Sequence, residues 1–163
     1  FARIAPRYDL LNRVLSLGRD VSWRKIVARE VAVAHPECVL DVCTGTGDLA
    51  LAMHDAAVVG ADFCLPMLAE ARAKTQLRGR QVELCAADAL CLPIADATVD
   101  VVTVAFGIRN FPDRLLGLQE MGRVVRPGGR VVVLELTMPR EGALALPARL
   151  WVRPGGLLVR LPG

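Results

Sequence analysis

Residues Val39-Leu-Asp-Val-Cys-Thr-Gly-Thr-Gly-Asp48 decide how this chain is read. A short apolar strand delivers an acid, Asp41, just ahead of a turn with two glycines one residue apart, Gly45 and Gly47. A helix is expected over residues 48–55. Glycines suit such a turn because a ligand must approach the backbone closely, and a side chain would block it. Two nucleotide readings compete. Gly45-Thr-Gly47-Asp-Leu-Ala50 fits the dinucleotide fingerprint, and Asp62 follows at close to the ribose-binding spacing of an NAD domain. The same pattern serves S-adenosylmethionine, whose ribose also needs an acid there and which has no pyrophosphate to seat on a helix N-terminus. Asp48, in the first turn of the expected helix, opposes a pyrophosphate, and Asp41 adds negative charge beneath the turn. The electrostatics favour a ligand carrying an ammonium and a sulfonium.

Outward from that turn, strand and helix signals alternate. Upstream, Leu10, Leu11, Val14 and Leu15 recur at helical spacing, and Gly18 closes that helix. Ser22 is read as the N-cap of a second helix presenting Trp23, Ile26, Val27, Val31 and Ala34, which stops at His35-Pro36. Downstream, strands are expected at 57–61, 81–86, 99–105 and 130–136. Helices are expected at 66–77 and, behind an Asp113 cap, through Leu115, Leu116, Leu118, Met121, Val124 and Val125. Pro127-Gly128-Gly129 stops that helix and turns the chain. Continuously apolar strands separated by helices predict an α/β, Rossmann-like fold: a mostly parallel sheet covered on both faces. Right-handed crossovers put every strand's carboxyl end on one edge. After Pro139 the pattern decays, with one short strand expected at 157–161.

The unusual residues gather at that edge. Asp62 ends the second strand, as a ribose ligand or as a plain helix cap. Asp88, with Ala89, follows the third, offering an acceptor and a backbone donor for adenine, or only a turn. Phe106-Gly-Ile-Arg-Asn-Phe111 follows the fourth; its Arg109 either serves a ligand or pairs a surface acid.

Composition narrows the function classes. The chain has 163 residues and 17.6 kDa, the size of one domain. Hydrophobic residues at 53% and a mean hydropathy of +0.40 exclude disorder, while 4% aromatics leave a core of Val, Leu, Ala and Ile. No apolar run approaches the roughly 18 residues that span a bilayer. All basic residues except Lys25 and Lys74 are Arg, interleaved with acids, and the net charge is +3, so no nucleic-acid partner is expected. Five cysteines with no Cys-x-x-Cys argue against disulfides and against a metal site, and for a reducing cytoplasm. No signal peptide precedes the first motif, and an opening at Phe1 reads as a piece of a longer protein.

Together these residues resemble the ubiquinone/menaquinone biosynthesis C-methyltransferases. The likeness runs in order from Phe1 to about Pro139: Phe1-Ala-Arg-Ile-Ala-Pro-Arg-Tyr-Asp-Leu-Leu-Asn12, Leu15-Ser-Leu-Gly18, Trp23-Arg24, Leu40-Asp-Val-Cys-Thr-Gly-Thr-Gly-Asp-Leu49, Ala87-Asp-Ala-Leu90, Leu92-Pro93, Phe106-Gly-Ile-Arg-Asn-Phe111, Glu120-Met-Gly-Arg-Val124, Pro127-Gly-Gly129 and Leu134-Glu135. The glycine turn is common to most class I methyltransferases. The Phe-Gly-Ile-Arg-Asn loop with Tyr8-Asp9 and Trp23-Arg24 is specific to the family.

The resemblance implies S-adenosylmethionine-dependent methylation of a ring carbon of a prenylated quinol. Thr46, Asp62, Asp88 and Ala89 would bind the cofactor, with Gly45 and Gly47 shaping the turn, Asp41 beneath it and Ala105 contributing backbone. Arg109 would stabilise a developing phenolate, and Asn110 would orient a phenolic oxygen or a water. Tyr8 and Asp9, on a helical lid over about residues 1–35, are the candidate bases. An Arg-, Ala- and Val-rich chain points to a GC-rich bacterium, and so to demethylmenaquinol over the ubiquinone precursor. The methyltransferase domain is expected over 1–139, with 140–163 departing from the family's pattern and the last antiparallel strands incomplete. A bare sheet edge would favour association, so a homodimer is within expectation, as is transient contact with a membrane surface.

Overall fold

The computed structural model describes residue 14 and residues 16–137 and 155–162. Its elements are α1 (Arg19–Ala32), β1 (Cys38–Val42), a 3₁₀ turn (Ala50–Ala52), β2 (Ala57–Asp62), α2 (Leu65–Leu77), β3 (Glu83–Ala86), β4 (Val99–Ala105), a 3₁₀ turn (Ile108–Asn110), α3 (Arg114–Val124), β5 (Val125–Thr137) and β6 (Gly155–Pro162). The strands form one sheet in the order β3-β2-β1-β4-β5-β6. β1 to β5 are parallel, and β6 runs antiparallel to β5.

The apolar strand runs bury both faces, as expected of a parallel sheet. On one face Val39, Val101 and Val132 pack with Val27 and Val31 of α1 and with Leu49, Ala50 and Met53. On the other, Leu40, Val42, Val102, Val104, Val131 and Val133 pack with Met121 and Val124 of α3. Val39 and Leu40 are fully buried, each contributing about 1.5–3 kcal/mol. The glycine turn is therefore anchored to the best-packed strand.

Four boundaries differ from expectation. Residues 48–55 form no α-helix, only the 3₁₀ turn Ala50–Ala52. Leu49, Ala50, Leu51 and Met53 are all buried, and a segment this short cannot sustain an isolated helix. Second, α1 begins at Arg19, with Gly18 at φ 76° as its N-cap, rather than behind Ser22. The Ser16 hydroxyl takes the Asp20 amide at 3.3 Å, so the helix start is fixed upstream of Ser22. Third, β3 starts at Glu83, not at residue 81. Fourth, β5 follows α3 directly. Its register jumps from Val99↔Val125 to Val101↔Arg130, so Pro127-Gly128-Gly129 loops out of the strand and does not precede it. A side chain at Gly129 would meet the Asp100 carbonyl at 2.5 Å, which keeps that bulge tight.

The strand expected at 157–161 is present and longer, covering β5 from Arg130↔Pro162 to Thr137↔Gly155. The edge expected to be bare at β5 is thus paired. The helix expected over residues 10–15 lies outside the described residues, apart from residue 14, as do the first part of the lid and most of the tail.

Candidate active site

β1 and β4 are neighbours whose chains leave in opposite directions along the sheet, so a crevice opens at their carboxyl ends. The residue after each strand is left-handed: Cys43 at φ 55° and Phe106 at φ 58°. Holding a non-glycine residue there costs on the order of 1 kcal/mol each, and it swings both chains off the sheet at one level. The two turns abut. A β-carbon at Gly107 would sit 2.6 Å from that of Cys43.

The glycine turn is held from three sides. Gly47, at φ 80°, leaves its absent side chain's space to Ala71 of α2. The Gly45 amide donates to Asp62 Oδ2 at 2.8 Å, while the Cys64 amide donates to Asp62 Oδ1 at 2.8 Å. Asp62 thereby pins the turn to the end of β2. From α2, Lys74 Nζ donates to Thr46 Oγ1 (2.9 Å) and pairs with Asp48 (2.7 Å). From α1, Arg24 reaches Asp20 at 2.6 Å and Asp48 at 3.5 Å.

Asp41 lies underneath and contacts the turn through hydroxyls. Thr44 and Thr103 each donate to it at 2.7 Å. Burial pushes its carboxyl up to about 6, against the pull of those two hydrogen bonds. Burial also pushes the Cys43 thiol up to about 12, helped by the charges of Asp62, Asp41 and Asp88, so that thiol is no nucleophile at neutral pH.

A cavity of about 350 Å³ opens above these turns. Gly45, Asp62, Asp88, Ala89, Ala105 and Asn110 all contribute to its wall, which Phe106, Phe111, Leu90 and Met67 make largely apolar. The Asp88 carboxylate takes the Leu90 amide at 2.9 Å, closing a short turn. That loop is latched to α3: Glu120 accepts the Leu92 amide, and Arg123 donates to the carbonyls of Leu92 and Ile94. Thr46, Asp41, Arg24 and Asp48 line a second, much smaller cleft, about 30 Å³, which shares Cys43, Gly45, Ala105 and Phe106 with the cavity. A larger groove, about 620 Å³, runs along α1 beyond Arg24 and Asp48 to the loops that lead into β1, β2 and β3. It faces away from the strand ends, and its size does not outweigh that position.

Of the residues expected to bind the cofactor, Gly45, Asp62, Asp88, Ala89 and Ala105 share the cavity wall, Asp41 and Thr46 line the smaller cleft, and Gly47 lines neither. Asp62 is not the helix cap; the α2 N-cap is Cys64 and has no side-chain cap bond. Asp48 does not head a helix, and its charge is matched by Lys74 and Arg24, so the repulsion expected from it is largely spent within the protein. Arg109 is half exposed and outside the cavity wall. Its guanidinium pairs with Glu135 at 2.9 Å and lies 5.9 Å from the Phe106 ring centre. Tyr8 and Asp9 lie outside the described residues. Lys74, Thr103, Glu135 and Arg123 were assigned no role in advance. Only Lys74 carried a signal, as one of two lysines in an arginine-rich chain.

The geometry speaks against a pyrophosphate for a reason other than Asp48. Gly47 leads into a three-residue 3₁₀ turn, so no α-helix N-terminus, with its dipole, stands at the glycines. An acid at the end of β2, an acid after β3 and an apolar wall between them fit an adenosine, whose hydroxyls and exocyclic amine donate to carboxylates.

Comparison with known proteins agrees. The model of the ubiE/COQ5 methyltransferase family matches residues 1–155. A demethylmenaquinone methyltransferase of Thermus thermophilus is 51% identical over 155 residues, covering 93% of this chain and 70% of that one. Another, from Deinococcus radiodurans, is 50% identical over 155 residues, covering 93% and 64%. The chain thus spans about two thirds of the length of these relatives. Among solved structures, a SAM-dependent methyltransferase from Aquifex aeolicus superposes with a TM-score of 0.66 at 20% identity, over 86% of this chain and 76% of that one, a likeness of fold.

Proposed function

Because the chain belongs to the ubiE/COQ5 methyltransferase family, we propose that it carries the methyl-donor site, and part of the acceptor site, of an enzyme that moves a methyl group from S-adenosylmethionine to a ring carbon of a prenylated quinol, with demethylmenaquinol the first choice. The observation that carries this reading is the cavity at the strand ends, with Asp62, Asp88 and Asn110 in its wall beside a glycine turn that lacks a helix N-terminus. S-adenosylmethionine supplies an electrophilic methyl group on a cationic sulfur.

The chain's own residues bind and orient. Each Asp62 oxygen is engaged by one amide and keeps a further lone pair for a ribose hydroxyl. Asp88 and the Ala89 amide address the adenine edge, and Leu90, Leu92 and Phe111 exclude water around it. Asn110 reaches the cavity and orients a phenolic oxygen. Arg109 keeps its proton at any working pH, so it acts on a developing phenolate by electrostatics and not as a base. Tyr8 and Asp9, within a lid over about 1–35 of a methyltransferase domain over 1–139, are the candidates for the base in this reading. Cytoplasmic location, transient contact with a membrane surface and a homodimer belong to it as well. Among the described residues no helix is long and apolar enough to cross a membrane.

The test is incubation of the chain with S-adenosylmethionine and either reduced demethylmenaquinone or the reduced ubiquinone precursor, followed by mass spectrometry. The expected product is a quinol heavier than the demethylmenaquinol supplied by one methylene group. Binding of NAD without binding of S-adenosylhomocysteine would overturn the reading. S-adenosylhomocysteine binding with neither quinol methylated would retain the donor site and reject the acceptor.

A further inference from the structure

The small cleft between α1 and the glycine turn has one cationic wall, and its geometry is unlike that of a surface arginine. Arg24 is 9% exposed and stands against Thr46, Asp48 and the Phe106 ring, whose centre is 5.9 Å from its guanidinium carbon. Both of its ion pairs, to Asp20 and to Asp48, run through Nη1. Among the described residues none accepts from Nε or Nη2, so one edge of the fork is left for something else. Asp20, itself 4% exposed and bonded by Ser16, fixes the other edge and holds the side chain in place.

A planar fork with one side anchored and the other free is built for two-point recognition of a carboxylate. The cleft has room for a small group and not for a whole ligand. It shares Cys43, Gly45, Ala105 and Phe106 with the larger cavity, so a ligand filling that cavity with its nucleoside has its other end beside Arg24. We infer that Arg24 is a donor-binding residue, whose free guanidinium edge takes the α-carboxylate of the amino-acid end of S-adenosylmethionine. This rests on the reading of S-adenosylmethionine as methyl donor. Asp41, at the foot of the same cleft, takes one threonine hydroxyl on each oxygen.

Calorimetry on the chain with S-adenosylhomocysteine and its decarboxylated analogue tests this. The wild type should bind the parent at least about tenfold more tightly, the scale of a charge-assisted bidentate contact. Arg24→Gln should weaken the parent by a similar factor, leave the analogue unchanged and erase the gap. Arg24→Lys, which keeps the charge and the Asp20 pair but not the fork, should retain part of the gap and serves if the glutamine variant fails to fold. A gap of equal size in wild type and variants would assign Arg24 to scaffolding, as would equal weakening of both ligands, and overturn the inference. Wild-type chain that binds NAD and neither thioether would instead reject the donor itself.

Discussion

Asp41, read from the sequence as a ligand residue, is 1% exposed and takes a threonine hydroxyl on each oxygen. Its carboxyl is raised to about 6 by burial, so the folded state holds a proton that the unfolded chain releases near 4. Folding stability must then fall as pH rises from about 4 to about 6 and level off above that, by at most on the order of 3 kcal/mol. Asp41→Asn, whose amide donates to one threonine and accepts from the other, should abolish that component. Urea unfolding of both proteins between pH 4 and 8 measures it, and parallel profiles would refute it. Arg109 is the second case. Its guanidinium is held by Glu135 beside Phe106, so Arg109→Ala should lower methylation about a hundredfold with little change in S-adenosylhomocysteine affinity. Glu135→Gln should lower the rate less. Single-turnover rates paired with calorimetry separate the two effects; equal loss of rate and affinity would show that the pair shapes the donor pocket. The surface-acid alternative for Arg109 was legible from its residue type, but Glu135 was not. The two are 26 positions apart and meet only because β4 and β5 are neighbours.

At the level of elements, strands were easier to read than the segments that leave them. Continuous apolar runs mark β1, β4 and β5 because both of their faces are buried. The stretch after the glycine turn misled because Leu-Ala-Leu-Ala-Met has helical propensity, whereas its burial between α1 and the sheet leaves space for a single tight turn. Helix α3 shows how packing can reverse a propensity rule. Replacing an interior helical glycine by alanine ordinarily stabilises by about 0.5–1 kcal/mol. At Gly117 the new methyl would lie 2.5 Å from the Phe111 ring, which forms part of the cavity wall. Overpacking of that kind costs about 1–3 kcal/mol and outweighs the gain. Gly117→Ala should therefore melt lower than wild type and bind S-adenosylhomocysteine more weakly. A variant that melts higher with unchanged binding would show that Phe111 moves aside freely.

Across the whole molecule, the sheet carries one antiparallel strand on an otherwise parallel array, and that strand guards an edge. Eight register pairs join β6 to β5, beginning at Arg130↔Pro162. A chain ending at residue 154 would present β5 as an unpaired edge and should associate at concentrations where the parent does not. Sedimentation velocity of the two would decide it, and identical profiles would mean that the edge is protected in some other way. The covering strand was only half legible, because its eight residues carry turn-forming Gly and Pro at their ends and match no family pattern. Each side chain in the cavity wall sits on, or next to, a segment that begins where a parallel strand stops, and each segment is separately fastened: the glycine turn by Asp62 and Lys74, the Asp88 loop by Glu120 and Arg123. Such a layout is modular. Descendants could exchange one acceptor molecule for another by rewriting Arg109 and Asn110 alone, leaving Phe106 and Phe111, and with them nucleoside recognition and the hydrophobic interior, untouched, which is a short evolutionary path to new chemistry on an old chassis.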